Sequence, residues 1–143
     1  MRLDGYSIGA TSVLALRVRS HLCRIVGHAT PITYQALTKA LGLVPPNTIH
    51  QLTVALECLI EEDAAAARPL IAALVVSKAR GGLPAPGFFD CARRAGRFDG
   101  DPSGPESSAF YAAEFNKAVE FWRAAGEVVD QVPKFDSHPE DRD

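Results

Sequence analysis

No apolar run in the chain approaches the ~20 residues needed to span a bilayer. The short apolar stretch in MRLDGYSIGATSVLALRV is broken by Arg17 and Arg19. Neither a membrane span nor a secretory signal is expected, and a cytoplasmic address is. Cysteine is scarce: Cys23, Cys58 and Cys91 lie far apart and are odd in number, which argues against a disulfide framework and fits reduced thiols. There is no internal repeat. No large excess of one charge exists either, the net value being −2 over 143 residues. Composition is ordinary for a globular protein, 47% hydrophobic and 22% charged. A chain of this length fits one domain with a core that needs no staples.

The near-neutral total hides an asymmetry. Residues 1–97 carry eleven Lys/Arg against six Asp/Glu, and residues 98–143 carry four against eleven. A basic body of this kind suits a nucleic-acid face, or else packs against its own acidic C-terminal part.

Local signals place four helices, a buried strand and one segment that reads either way. Thr11 or Ser12 is a candidate N-cap for a first helix, whose Val13, Leu14, Leu16, Leu22, Ile25 and Val26 recur at helical spacing before Gly27. TPITY predicts a very short extended piece. Thr33 then caps a helix over YQALTKAL, with Ala36, Leu37, Ala40 and Leu41 inward and Gly42 as its stop. LVPPN is a rigid connector. Asn47 caps a third helix running to about Glu62, with Ile49, Leu52, Leu56, Leu59 and Ile60 on one face. LIAALVVS, residues 70–77, reads as a buried strand. KARGGLPAPG is a loop stiffened by glycine and proline. FFDCARRAG is a return strand or a short helix ended by Gly96. A last helix starts at Ser107 or Ser108, with Tyr111, Phe115, Ala118, Val119 and Trp122 on one stripe.

The expected fold is mainly α (α+β): a winged-helix-like three-helix core with a small β-hairpin, plus additional C-terminal helices. One globular domain covers residues 1–130, its core at about 12–90 and a helical extension at about 91–130; a flexible acidic tail follows over 131–143. In such an architecture the Gly/Pro loop projects as a wing, where Lys78 and Arg80 can meet phosphates.

PITYQALTKALGL, a helix, RPLIAALVV and a Gly-rich turn together resemble the winged-helix domain of alkylguanine-DNA alkyltransferases and alkyltransferase-like proteins, over roughly residues 31–87. The resemblance matches Thr33 and Tyr34 to that family's Thr-Tyr pair and implies a DNA-facing third helix. The family's reactive Pro-Cys-His-Arg segment would fall on Ile71-Ala72-Ala73-Leu74, which holds no thiol, base or arginine. Alkyl transfer, which needs an activated thiolate, is excluded. The helices after residue 88 have no counterpart in that family.

The third helix contains no Lys or Arg and carries Glu57, Glu61 and Glu62. Of its outward residues, which include His50, only Gln51 is a base reader, so tight sequence-specific binding is not expected. Cys23 and His28 lack two further metal ligands. Cys91, near Arg93, Arg94 and Arg97, is the best reactive-thiol candidate, with burial as a small hydrophobe as the alternative. Glu61-Glu62-Asp63 reads as a solvated helix end, and GGLPAPG lacks the Gly-Lys-Ser/Thr ending of a phosphate loop. Phe121 and Trp122 are adjacent and cannot face the same way; one of them, or Tyr111, is expected at the surface as a partner or homodimer patch.

The resulting expectation is a non-enzymatic binding module with no catalytic residues, no cofactor and no metal; the alternatives are a protein-interaction or homodimerisation domain and, less favoured, a small enzyme using Cys91 or His50. Lys78, Arg80, Arg93, Arg94, Arg97, Thr33, Tyr34, His50 and Gln51 are its contact residues. Its partner is DNA or an acidic protein surface, with a homodimer as a further option.

Overall fold

A computed structural model describes the backbone of residues 3–131 and the side chains of residues 11–126. The acidic tail expected over 131–143 lies, from residue 132 on, outside the described residues. The protein is mainly α. Its main elements are α1 (Leu3–Ile25), β1 (Ile32–Thr33), α2 (Tyr34–Leu41), α3 (Thr48–Ala65), β2 (Val75–Val76), α4 (Pro86–Arg94) and α5 (Pro105–Gln131). Single 3₁₀ turns occupy Val26–His28, Ile71–Leu74 and Lys78–Arg80.

α1 buries Ala15, Val18 and Leu22, spaced as one helical face, against α3, and Val26 of the following 3₁₀ turn is buried as well. The expected inward set is corrected here: Val13 and Leu16 point outward, because the buried stripe runs through Ala15 and Val18 instead. α2 is bounded as its local signals indicate. Thr33 Oγ1 accepts from Ala36 N at 3.1 Å, and Gly42 closes the helix at φ 65°, where a side chain would be strained. Leu37 and Leu41 are buried, whereas Ala36 and Ala40 are exposed.

α3 begins after Asn47, but the cap works differently from the expectation. Asn47 sits in the left-handed region at φ 62° and its side chain makes no capping bond. Gln51 instead donates from Nε2 to Val44 O at 3.1 Å and Pro46 O at 2.9 Å, fastening the Pro-Pro connector to the first turn of α3. Leu52, Ala55, Leu56, Leu59 and Ile60 are buried, while Ile49 is exposed.

The strand expected over 70–77 is shorter. Ile71–Leu74 form a 3₁₀ turn and only Val75–Val76 form a strand, pairing in parallel with Ile32–Thr33. The physical reason lies outside the segment. Leu70 N donates to Glu114 Oε2 at 2.7 Å and Ile71 N to Asp63 Oδ2 at 3.0 Å, so two buried carboxylates take the N–H groups a ladder would use. The return arm is a single antiparallel bridge, Ser77 to Leu83, with Ser77 N donating to Leu83 O at 2.7 Å. FFDCARRAG is helical rather than a return strand. α4, α5 and the connector between them close the core through Phe88, Phe89, Phe98 and Phe110, with neighbouring ring centroids 4.8–6.4 Å apart.

Candidate functional site

The segment Ser77–Leu83 turns back within seven residues. Gly81 and Gly82, at φ 67° and 94°, allow the reversal that a residue with a Cβ resists. Gly82 N donates to Ser77 O at 3.3 Å. The turn thereby lifts Lys78 to an exposed position and leaves Arg80 half-buried. Among the described residues, neither cation forms an ion pair with a carboxylate.

Lys78 borders a groove of about 450 Å³ whose walls include Thr33, Tyr34, Gln35, Ile49 and Ala85. Tyr34 Oη accepts from Ala85 N at 2.9 Å, tying the first turn of α2 to the segment that leads into α4. Burial pushes the Tyr34 phenol above its ordinary range, while the bond from Ala85 and the Arg80 charge pull the other way. The groove brings together three expected contact residues, Thr33, Tyr34 and Lys78. Ile49 was expected to face inward and Ala85 to lie in the projecting loop; tertiary packing puts both in the groove wall instead.

The remaining expected residues are elsewhere. His50 is exposed and borders a different groove with Thr11, Leu14 and Val54. Gln51 has both amide hydrogens engaged by the connector, so the one base-reading side chain of α3 is a structural clamp. None of Arg93, Arg94 and Arg97 lines the Lys78 groove. Arg93 and Arg94 are exposed, with Arg93 3.9 Å from Asp90. Arg97 donates to Arg68 O at 2.8 Å and to Glu114 at 3.0 Å, where the acidic last helix neutralises it. Asp63 is also corrected: fully buried, it pairs with Arg19 and Arg68, and only Glu61 and Glu62 are solvated.

Cys91 is 1% exposed and its thiol lies 3.8 Å from Glu57 O. Burial, reinforced by the Glu57 charge, raises it to about 11; the nearby Arg94 lowers it only in part. Burial therefore outweighs the cations that suggested a reactive thiolate. Expected outcome: at pH 8.5 Cys91 resists iodoacetamide in the native protein and is labelled rapidly after denaturation, as read by peptide mass spectrometry. The raised value means folding favours the protonated thiol. That contribution is complete below the unfolded value near ~8.5 and fades as pH rises through about 11. Among the described residues no three His, Cys, Asp or Glu side chains cluster as a metal site, and no helix is long and apolar enough to cross a membrane.

Trp122 faces inward and donates from Nε1 to Pro69 O at 3.0 Å, and Phe121 takes the outward position. Tyr111 is half-buried, its ring tilted against Phe115 at 5.8 Å, so of the three surface candidates Phe121 is the exposed one. No protein-family model, curated protein or solved structure matches the chain.

Proposed function

We propose that the chain is a non-enzymatic, winged-helix-like binding module that touches the phosphate backbone of nucleic acid with the Ser77–Leu83 turn, weakly and without reading sequence. One observation carries this reading: Lys78 and Arg80 stand on a closed turn beside an open groove and, among the described residues, have no carboxylate partner. Cations with internal partners, such as Arg97, are already neutralised; these two retain their charge for an incoming anion. The contacts of α1, α2 and α3 with one another, followed by a turn in the position of a wing, support the winged-helix comparison. So does Thr33 as the cap of α2 next to Tyr34.

The same reading sets its own ceiling. α3 carries Glu57, Glu61 and Glu62 and no Lys or Arg, and its Gln51 is engaged, so contact is with phosphates rather than base edges. Ile71–Leu74, where the resemblance puts a reactive segment, are buried aliphatic side chains.

Two phosphate contacts give a salt slope of about −1.8, or roughly a tenfold loss of affinity for a short duplex between about 50 and 200 mM salt. The Lys78→Ala/Arg80→Ala double variant is expected to flatten that slope by about 2 for every duplex sequence tried. Anisotropy titrations that show the same affinity at both salt concentrations would rule the reading out.

A further inference from the structure

The outer face of α1 has features that the cationic turn does not explain. Opposite the buried Ala15–Val18–Leu22 stripe stand Val13, Leu16, Arg17, Ser20 and Arg24, with Val13 60% and Leu16 67% exposed. The face borders a groove of about 350 Å³ whose far wall is Ala40 and Leu41 of α2. Arg17 Nη2 donates to Leu41 O, so the helix-end carbonyl that would repel an anion there is capped. Arg24 rests on neutral acceptors, Ser20 Oγ at 3.2 Å and His21 Nδ1 at 3.1 Å. A ring nitrogen that accepts from a guanidinium is unprotonated, which leaves the hydrogen on His21 Nε2. The groove has no carboxylate in its lining, and among the described residues Arg17 and Arg24 form no ion pair. On the inward side of the same helix, Arg19 reaches Glu62 and Asp63, each at 3.0 Å.

We propose that this groove, with the adjoining outer face of α1, docks an acidic, amphipathic segment of a partner protein, its apolar side chains on Leu16 and the neighbouring Val13 and its carboxylates on Arg17 and Arg24. Two kinds of contact are needed to account for the face. A nucleic-acid backbone uses the arginines and leaves the exposed Val13 and Leu16 facing water. A lipid surface requires a broader apolar band than two aliphatic side chains provide. A segment with alternating acidic and apolar residues uses both, as helix-in-groove recognition does. The site lies on α1 and α2 and does not depend on the role given to Lys78 and Arg80.

The test uses a fluorescein-labelled helical peptide with Leu at i, i+4 and i+7 and Glu at the flanking positions. Its controls are the same peptide with Gln for Glu, an oligo-dT strand, and phosphatidylcholine vesicles containing phosphatidylserine. The acidic peptide is expected to bind saturably and to shift amide signals of residues 13–24 and 39–41. Arg24→Glu and Leu16→Gln should each weaken it about threefold and the pair about tenfold, the scale of exposed contacts. The Lys78→Ala/Arg80→Ala variant should bind it unchanged, which separates this site from the cationic turn. Both chosen side chains point to solvent and Arg17 stays in place as the α2 cap, so the variants keep the native circular dichroism. The proposal is overturned if the acidic peptide does not bind, if the Gln peptide binds equally well, or if the two substitutions leave its affinity unchanged. It is also overturned if those substitutions remove oligo-dT or vesicle binding while sparing the peptide.

Discussion

Replacing Asp63 by alanine is expected to lower folding stability by about 3–5 kcal/mol, the scale for removing one partner of a buried ion pair. Asp63 ends the buried face of α3 with no solvent exposure. Its Oδ1 lies 3.0 Å from Arg19 Nη1 and 2.9 Å from Arg68 Nη2 and accepts from Arg68 Nε at 3.1 Å; its Oδ2 accepts from Ile71 N at 3.0 Å. The Arg19 contact is one of charge rather than an aligned hydrogen bond, since Nη1 has no hydrogen-bond partner among the described residues. Both guanidiniums also lie over the Trp122 ring, at 5.1 and 5.4 Å from its centroid. Without the carboxylate, two cations share one indole and repel each other, and the ring quadrupole offsets only part of that. Ile71 N–H is left buried without an acceptor, itself a loss of about 1–3 kcal/mol. Asp63→Asn retains an oxygen for Ile71 while losing the charge, so it should fall between wild type and Asp63→Ala. Urea denaturation followed by circular dichroism gives the ranking, and an Asp63→Ala midpoint equivalent to a loss under about 1 kcal/mol would contradict the account. Total stability of a domain this size is about 5–15 kcal/mol, so the loss removes a large share of it and the urea midpoint should fall accordingly.

Asp63 also marks where the sequence stops being readable. Thr33, Gly42 and Gly96 act on residues within four positions of themselves, and their positions were legible. The stripe on α5 was legible too, since Ala118, Val119 and Trp122 are buried as their spacing indicates. Asp63 looked like the third acid of a solvated helix end because its partners come from α1 and from beyond α3. The strand expected over 70–77 failed for the same reason: Leu70 and Ile71 are claimed by carboxylates remote in sequence or tertiary in origin, which apolar periodicity does not register. On the first helix the outward Val13 and Leu16 resembled core residues because apolar character alone does not say which face meets a neighbour. The Lys78 groove was half legible. Lys78 came from the element order and Thr33 and Tyr34 from the family resemblance, while packing alone brings Ile49 and Ala85 beside them.

Glu114→Ala is the second large effect, again about 3–5 kcal/mol, with a signature that distinguishes it from simple loss of packing. Glu114 is 3% exposed on α5 and its Oε2 accepts from Leu70 N at 2.7 Å and Arg97 Nη2 at 3.0 Å. Arg97 in turn donates to Arg68 O at 2.8 Å, so one carboxylate positions the loop ahead of the 3₁₀ turn and the cation that follows α4. Deleting it leaves a cation three-quarters withdrawn from water with no counter-charge and a backbone N–H with no acceptor. If the unpaired cation is the main cost, Arg97→Ala placed on the Glu114→Ala background should recover part of the loss, although Arg97→Ala alone destabilises. If cavity formation dominates, the second substitution should deepen the loss. A double-mutant cycle in urea separates these, with a coupling of about 1–3 kcal/mol expected for residues sharing one network. Asp63 and Glu114 hold adjacent N–H groups, Ile71 and Leu70, from two different helices. Removing both carboxylates should therefore cost less than the two single losses together, because either one alone already frees the loop that the other was holding. Strict additivity would mean that the two carboxylates stabilise separate parts of the fold.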